Sequence, residues 1–129
     1  MIAKLLLIGL GGCIGAIARF GANAWALGTF PRLGIVAGTL LVNLSGCLAI
    51  GVLFRLAEAL PALDSNFRAF VFVGLLGSFT TFSTFSLELM QLARAGGFAP
   101  ALLYVAASVV GGLALTWVGY GLTASLLRT

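Results

Sequence analysis

The chain has 129 residues, of which 61% are hydrophobic and 8% charged, and its formal net charge is +4. A soluble domain of this length could not bury so much apolar surface, because small domains are mostly surface and average soluble chains carry about 25% charged residues. The composition therefore excludes a soluble globular protein and predicts a single all-α domain, residues 1–129, in a lipid bilayer. Seven scattered basic residues, three acidic residues and no histidine also argue against a nucleic-acid-binding protein and against an enzyme.

Four stretches of the chain are each long enough to cross a bilayer, which takes about 20 apolar residues. Three of them contain no Asp, Glu, Lys or Arg: residues 33–54, 69–87 and 95–127. A proline lies in or beside each connection, at Pro31, Pro61 and Pro100. The sequence thus predicts four transmembrane helices, at about 3–27, 33–57, 67–94 and 99–126.

The first predicted span contains Lys4 and Arg19. A signal peptide cleaved near Ala16–Ala18 is an alternative for this segment, but the apolar run continues past Arg19 to Leu27 and favours a retained span. Arg19 lies deep in the span. It either reaches an interface or pairs with Glu88, or it lies in a water-filled vestibule and attracts anions.

Small residues recur four apart in the predicted spans, a spacing that lets helix backbones approach closely in a membrane. The pairs are Gly11/Gly15, Gly12/Ala16, Gly34/Gly38 and Ala107/Gly111. They predict tight helix packing and say nothing about chemistry.

The second span carries a polar stripe, because Thr39, Asn43 and Gly46 follow at i, i+4 and i+7. Asn43 lies near mid-membrane, and its amide offers two N–H donors. Two interpretations stay open for Asn43: a hydrogen bond between helices, or a donor to a bound ligand.

Hydroxyl side chains and phenylalanines fill residues 78–86 of the third span, directly after Gly77. One or two Ser or Thr residues can bond the carbonyl one turn back inside an intact helix. So dense a run instead predicts a break in the helix near mid-membrane. Such a break is tolerated only where the freed carbonyls find a cation, water or protein.

The remaining polar inventory favours an anion as ligand. Phe82 and Phe85 are three apart and share a helix face, and ring edges carry positive charge that can stabilise a small anion, although packing or lipid contact is the alternative. Tyr104 and Ser108 form an i, i+4 pair on the fourth span. Glu88 is the one acid far from a predicted loop, and we expect it to be peripheral. Hydrogen-bond donors therefore dominate among the polar side chains of the spans.

Basic residues give only a weak orientation signal. The side that holds both termini carries Lys4, Arg55, Arg68 and Arg128. The other side carries Arg32 and Arg94, with Arg19 as a possible third. The positive-inside rule depends on the difference between these two counts, which is small here. The chain is therefore expected to insert in both orientations, so that two copies could meet antiparallel.

Three segments resemble the Fluc (CrcB) family of fluoride channels, and the resemblance extends over essentially the whole chain. Residues 11–19 read Gly-Gly-Cys-Ile-Gly-Ala-Ile-Ala-Arg, and residues 38–46 read Gly-Thr-Leu-Leu-Val-Asn-Leu-Ser-Gly. Residues 74–88 read Gly-Leu-Leu-Gly-Ser-Phe-Thr-Thr-Phe-Ser-Thr-Phe-Ser-Leu-Glu, which is highly specific. The resemblance implies a fluoride-selective passive channel that exports fluoride as a multi-pass protein of the prokaryotic plasma (inner) membrane.

The resemblance also implies an antiparallel, dual-topology homodimer with two pores. Phe82 and Phe85 would line each pore with their ring edges, and Asn43 would donate to fluoride. Arg19 would face the aqueous vestibule. Tyr104 and Ser108 would belong to a polar track along the pathway, with Thr39 and Glu88 near it. Backbone carbonyls of Gly77 and Thr80 would hold a structural sodium ion at the centre of the dimer.

Three other functions compete with a channel. A proton-coupled exporter of the small four-helix, dual-topology type needs a carboxylate in its first helix, where this chain has Arg19 and no acid. A structural subunit would use its polar stripes only to hold helices together. An ion-coupled fluoride carrier is the nearest alternative, because the residues alone separate it poorly from a channel.

Overall fold

The computed structural model describes residues 1–61 and 63–127. Within them, four helices are long and apolar enough to cross a membrane, as predicted. The first two spans are single helices, α1 (Ile2–Thr29) and α2 (Gly34–Ala59). The third span consists of α3 (Ser65–Arg68), a π-helical segment (Ala69–Leu76), α4 (Gly77–Phe79) and α5 (Phe82–Arg94). The fourth span is α6 (Phe98–Leu126). Arg128, one of the four basic residues assigned to the side of the termini, lies outside the described residues.

Local hydrogen bonds explain where the spans begin and end. Gly34 starts α2 with a φ of 58°, a left-handed conformation that glycine adopts without steric cost. The side chain of Asp64 caps α3, because its Oδ1 accepts from the amides of Asn66 and Phe67 at 3.0 and 2.9 Å. After α5 the chain turns at Gly96, whose φ is 78°, and the amide of Gly97 bonds the Leu92 carbonyl at 3.0 Å.

The third span is interrupted at Thr80 and Thr81, which confirms the predicted break. Thr80 has ψ 159° and Thr81 has ψ 123°, so both residues are extended rather than helical. The hydroxyl of Thr80 donates to the Leu76 carbonyl at 3.0 Å, and Thr81 serves as the N-cap of α5. The segment before the break is π-helical, with the Gly77 amide reaching back to the Phe72 carbonyl. Such wide turns are rare and occur often at functional sites.

Glycines bring the helices together in two pairs. A Cβ at Gly15 of α1 would overlap the Leu75 carbonyl oxygen of the π-helical segment, and Gly11 is equally close to that segment. A Cβ at Gly51 of α2 would overlap the Thr116 carbonyl oxygen of α6. The Gly11/Gly15 pair therefore packs as predicted. Gly34 makes no such contact within the chain, where it serves the backbone turn.

Candidate functional site at the helix break

The side chain of Asn43 pairs with the backbone at the break. Its Oδ1 accepts from the Thr81 amide at 2.9 Å, and its Nδ2 donates to the Thr81 carbonyl at 3.0 Å. The backbone N–H and C=O of Thr81 thus both have hydrogen-bond partners at a depth where water is scarce. An amide nitrogen carries two hydrogens, so one N–H of Asn43 remains for another acceptor. The structure thus shows the interhelical bond and leaves one donor for a ligand.

Two backbone carbonyls at the break, those of Gly77 and Thr80, lose their usual helical partners. In an uninterrupted α-helix each would accept from the amide four residues later. The Thr81 amide donates to Asn43 instead, and the Thr84 amide donates to Thr81 Oγ1 at 3.3 Å. Neither carbonyl therefore accepts the hydrogen bond that a continuous helix would give it.

The break also sets two helix ends of opposite polarity against each other in the middle of the span. Free carbonyls at the end of α4 carry partial negative charge, and the amides that begin α5 carry partial positive charge. Broken helices in membrane transporters use their two ends in this way, with carbonyls toward cations and N-termini toward anions. The arrangement can therefore serve a cation and an anion at neighbouring positions.

A concave pocket of about 310 Å³ lies beside the break. Its lining includes four of the predicted site residues, Asn43, Gly77, Thr80 and Phe82. Gly46 also lines the pocket. A Cβ at Gly46 would overlap the Thr80 side chain, so only glycine lets Thr80 pack this closely against α2. Among the residues that the structure describes, no three His, Cys, Asp or Glu side chains are close enough to hold a metal ion.

Glu88 is the centre of a second cluster, buried between three helices. Its Oε1 accepts from the Thr39 hydroxyl at 2.7 Å, and its Oε2 accepts from the Tyr104 hydroxyl at 2.7 Å. Only 3% of Glu88 is exposed, with 0% for Thr39 and 4% for Tyr104. The expectation of a peripheral Glu88 is wrong. The carboxylate is stable inside because a hydroxyl donates to each of its oxygens.

Aromatic rings connect the pocket to this cluster. Phe82, the first residue of α5, is 79% exposed, whereas Phe85 is 7% exposed. Their ring centroids are 5.7 Å apart, and the Phe85 ring stands edge-on to Tyr104 at 5.0 Å. The Tyr104 hydroxyl in turn donates to Glu88. The predicted residues thus form a continuous row from the pocket into the protein.

Two other predicted residues, Ser108 and Arg19, take no part in these contacts. The hydroxyl of Ser108, one turn after Tyr104, is buried and has no hydrogen-bond partner in the described structure. Arg19 is half-buried in α1 and is not brought to Glu88, whose oxygens accept from Thr39 and Tyr104. The proposed pairing of Arg19 with Glu88 is therefore wrong.

Thr81 is the functional residue for which the sequence predicted no role. It supplies the peptide that Asn43 holds, and its hydroxyl caps α5 by accepting from the Thr84 amide. A local signal was present, since threonine is among the preferred N-cap residues of helices. Because Ser and Thr residues also flank Thr81 on both sides, the sequence did not single out Thr81 as the N-cap.

The cluster around Glu88 gives a direct prediction for stability. Tyr104→Phe removes one of the two hydroxyl donors, and we expect the free energy of unfolding to fall by about 1.5–3 kcal/mol, the contribution of a hydrogen bond to a charged group. Denaturant unfolding in detergent micelles measures it. The matched control is Tyr120→Phe, which removes a hydroxyl bonded to the exposed Glu58 and should leave stability unchanged. Equal losses in both variants would contradict a structural role for the buried cluster.

Fold and site together define a class: a small polytopic membrane protein that handles ions at a broken helix. The chain belongs to the CrcB family, whose model, described as CrcB-like protein, Camphor Resistance (CrcB), matches residues 6–120.

Relatives in bacteria carry the name fluoride-specific ion channel FluC. One from Pseudomonas putida (strain F1) is 45% identical over 123 residues, which cover 95% of this chain and 98% of the relative. A second, from Pseudomonas fluorescens (strain Pf-5), is 45% identical with the same coverage. A third, from Chloroflexus aurantiacus, is 43% identical over 92% of this chain and 94% of the relative. The similarity therefore covers all four spans.

Proposed function

We propose that the protein is a fluoride-selective passive ion channel that exports fluoride across the prokaryotic plasma membrane and so relieves fluoride toxicity. The observation that carries the proposal is the row of aromatic and polar side chains from Phe82 to Glu88, set at the break of a membrane-spanning helix. Relatives similar over almost the whole chain are named as fluoride-specific ion channels, which favours the same function here.

Fluoride is a small anion that holds its water tightly, so a selective pore must replace that water with donors. Phe82 and Phe85 offer ring edges, Asn43 offers its remaining N–H, and Ser108 offers a hydroxyl that no described residue engages. Chloride is larger and would be excluded by size from a path so closely lined.

The hydroxyls of Thr39 and Tyr104 can bind fluoride only by giving up their hydrogen bonds to Glu88. Each carries one hydrogen, which is donated to Glu88 at 2.7 Å. To bind either hydroxyl, fluoride must displace the carboxylate as acceptor. The positive end of α5 lies at Phe82, so it favours the anion at the pocket end of the row, before the anion reaches these hydroxyls.

A passive channel and an ion-coupled carrier differ in what drives transport. We expect a membrane potential alone to drive fluoride flux through proteoliposomes, with equal pH and equal sodium on both sides. A requirement for a proton or sodium gradient would indicate the carrier. The small multidrug exporter is disfavoured because α1 contains no carboxylate.

A second copy of the chain would complete the pore. Phe82 is 79% exposed and the pocket beside it opens to the outer surface of the single chain, at membrane depth. An antiparallel, dual-topology homodimer would cover both and create two pores, in keeping with the weak charge bias of the connections. Mapping the termini in intact cells tests this arrangement. Termini found on both sides support it, and one fixed orientation for every copy would exclude it.

A structural sodium ion is the cofactor proposed for the break. The released carbonyls of Gly77 and Thr80, supplied by two copies, would give four oxygens and suit a hard monovalent cation that is held rather than transported. The ion would fix the two broken helices against each other.

Removal of sodium tests the cofactor. We expect exchange of all sodium for N-methylglucamine to reduce fluoride flux, and we expect sodium, but not potassium, to restore it. The readout is fluoride release from liposomes, with the dimer fraction followed in parallel by size-exclusion chromatography. Unchanged flux and unchanged dimer after exhaustive exchange would remove sodium from the account.

A further inference from the structure

A polar and aromatic cluster lies at the end of α2 and α6, far along both helices from the break. Tyr120 is its centre: the hydroxyl donates to Glu58 Oε2 at 3.0 Å, and the Arg55 guanidinium lies 6.0 Å from the ring centroid. The rings of Phe54 and Trp117 each lie 6.4 Å from that of Tyr120. The fluoride pathway uses none of these residues.

Both charges of the cluster retain binding capacity. Arg55 Nη1 and Glu58 Oε2 are 3.8 Å apart, beyond hydrogen-bond distance, and the two side chains are 24% and 39% exposed. Glu58 Oε2 accepts from Tyr120, which leaves Oε1 as a further acceptor. A guanidinium with open donors therefore lies next to a carboxylate with an open oxygen.

An apolar groove of about 480 Å³ between α2 and α6 lies beside this charge pair, because Tyr120 lines the groove and also contacts both charged residues. Phe54, Trp117 and Ile50 line it with apolar side chains, and Gly51 and Thr116 line it where α2 and α6 pack against each other. Arg55 is the first charged residue after the uncharged stretch 33–54, so the polar end of the groove lies where the hydrocarbon gives way to headgroups. Tryptophan and tyrosine are enriched at this depth.

We propose that this groove binds a glycerophospholipid of the phosphatidylethanolamine type. The phosphate is held by Arg55, the primary ammonium donates to Glu58, and one acyl chain lies in the groove between Phe54 and Trp117. Charge complementarity selects this occupant: the headgroup carries an anion and a cation two carbons apart, and the protein presents a cation and an anion 3.8 Å apart. The inference does not depend on fluoride transport.

Native mass spectrometry of the detergent-purified protein tests the site, using phosphatidylethanolamine and phosphatidylcholine with identical acyl chains. The choline headgroup has no N–H to donate to Glu58. We expect the wild type to bind phosphatidylethanolamine about tenfold more tightly, the effect of one charge-assisted hydrogen bond. Glu58→Gln, which keeps the shape of the side chain, should abolish this preference. Arg55→Gln should weaken binding of both lipids about fivefold or more.

Arg32→Gln is the matched control, because Arg32 is an exposed arginine in the connection between α1 and α2. It should bind both lipids as the wild type does. Equal affinity of the wild type for the two lipids would overturn the proposal, as would equal effects of Arg32→Gln and Arg55→Gln. Trp117→Ala decides between a lipid and a second copy of the chain. Loss of phosphatidylethanolamine from an unchanged oligomer supports the lipid, and dissociation of subunits with lipid binding retained assigns the groove to the second copy.

Discussion

Replacing Phe82 or Phe85 with isoleucine is expected to reduce fluoride efflux at least about tenfold in each case, because either change removes a ring edge from a path that has few other donors. Isoleucine keeps the site apolar and of similar bulk, so the change isolates the ring. Phe82 forms the entrance to the row at the pocket, and Phe85 connects Phe82 to Tyr104. We expect the loss to appear in flux and not in the amount of folded protein.

The matched control is Phe20→Ile. Phe20 lies on α1, is 76% exposed and takes no part in the ring contacts of Phe82, Phe85 and Tyr104, so its replacement should leave efflux unchanged. Fluoride release from liposomes, measured per amount of folded protein, compares the three variants. Wild-type flux in both Phe82→Ile and Phe85→Ile would exclude ring edges as the basis of fluoride stabilisation.

Asn43→Asp is expected to reduce fluoride efflux about a hundredfold. The carboxylate can still accept from the Thr81 amide, but it cannot donate to the Thr81 carbonyl, and it adds a negative charge beside the anion path. An unsatisfied buried carbonyl costs about 1–3 kcal/mol, and each 1.36 kcal/mol in a barrier is a factor of ten in rate. The variant therefore damages both the break and the remaining donor.

Ser45→Ala controls for a polar change on the same helix. The Ser45 hydroxyl is exposed and donates to the Val42 carbonyl within α2, so its removal should change neither flux nor stability. Liposome efflux and denaturant unfolding of the two variants separate the effects on transport and on the fold. An Asn43→Asp protein that conducts like the wild type would show that the bond to Thr81 is not needed for the pore.

The spans and the break follow from local sequence. Long uncharged stretches allow few structures other than membrane helices, and the hydroxyl run after Gly77 offers the backbone alternatives to helical bonds. Each of these signals determines the structure of the segment in which it lies. The four spans and the interruption at Thr80 and Thr81 are therefore present in the structure as predicted.

Contacts between spans could not be derived in the same way. Asn43 and Thr81 are 38 residues apart, and Thr39 and Glu88 are 49 apart, so nothing local indicates that they meet. The burial of Glu88 is the clearest case, because its sequence neighbours give no sign of the two hydroxyls that make burial possible. The π-helical segment is equally hidden, since an apolar run has the same composition in either helix type.

Fluoride efflux from liposomes tests the central claim most directly. Purified protein is reconstituted into liposomes loaded with potassium fluoride, efflux is started with valinomycin, and a fluoride electrode records the release. Liposomes loaded with potassium chloride serve as the control. Rapid release of fluoride without release of chloride is the predicted result. Release of neither ion from folded protein, or equal release of both, would contradict a fluoride-selective channel.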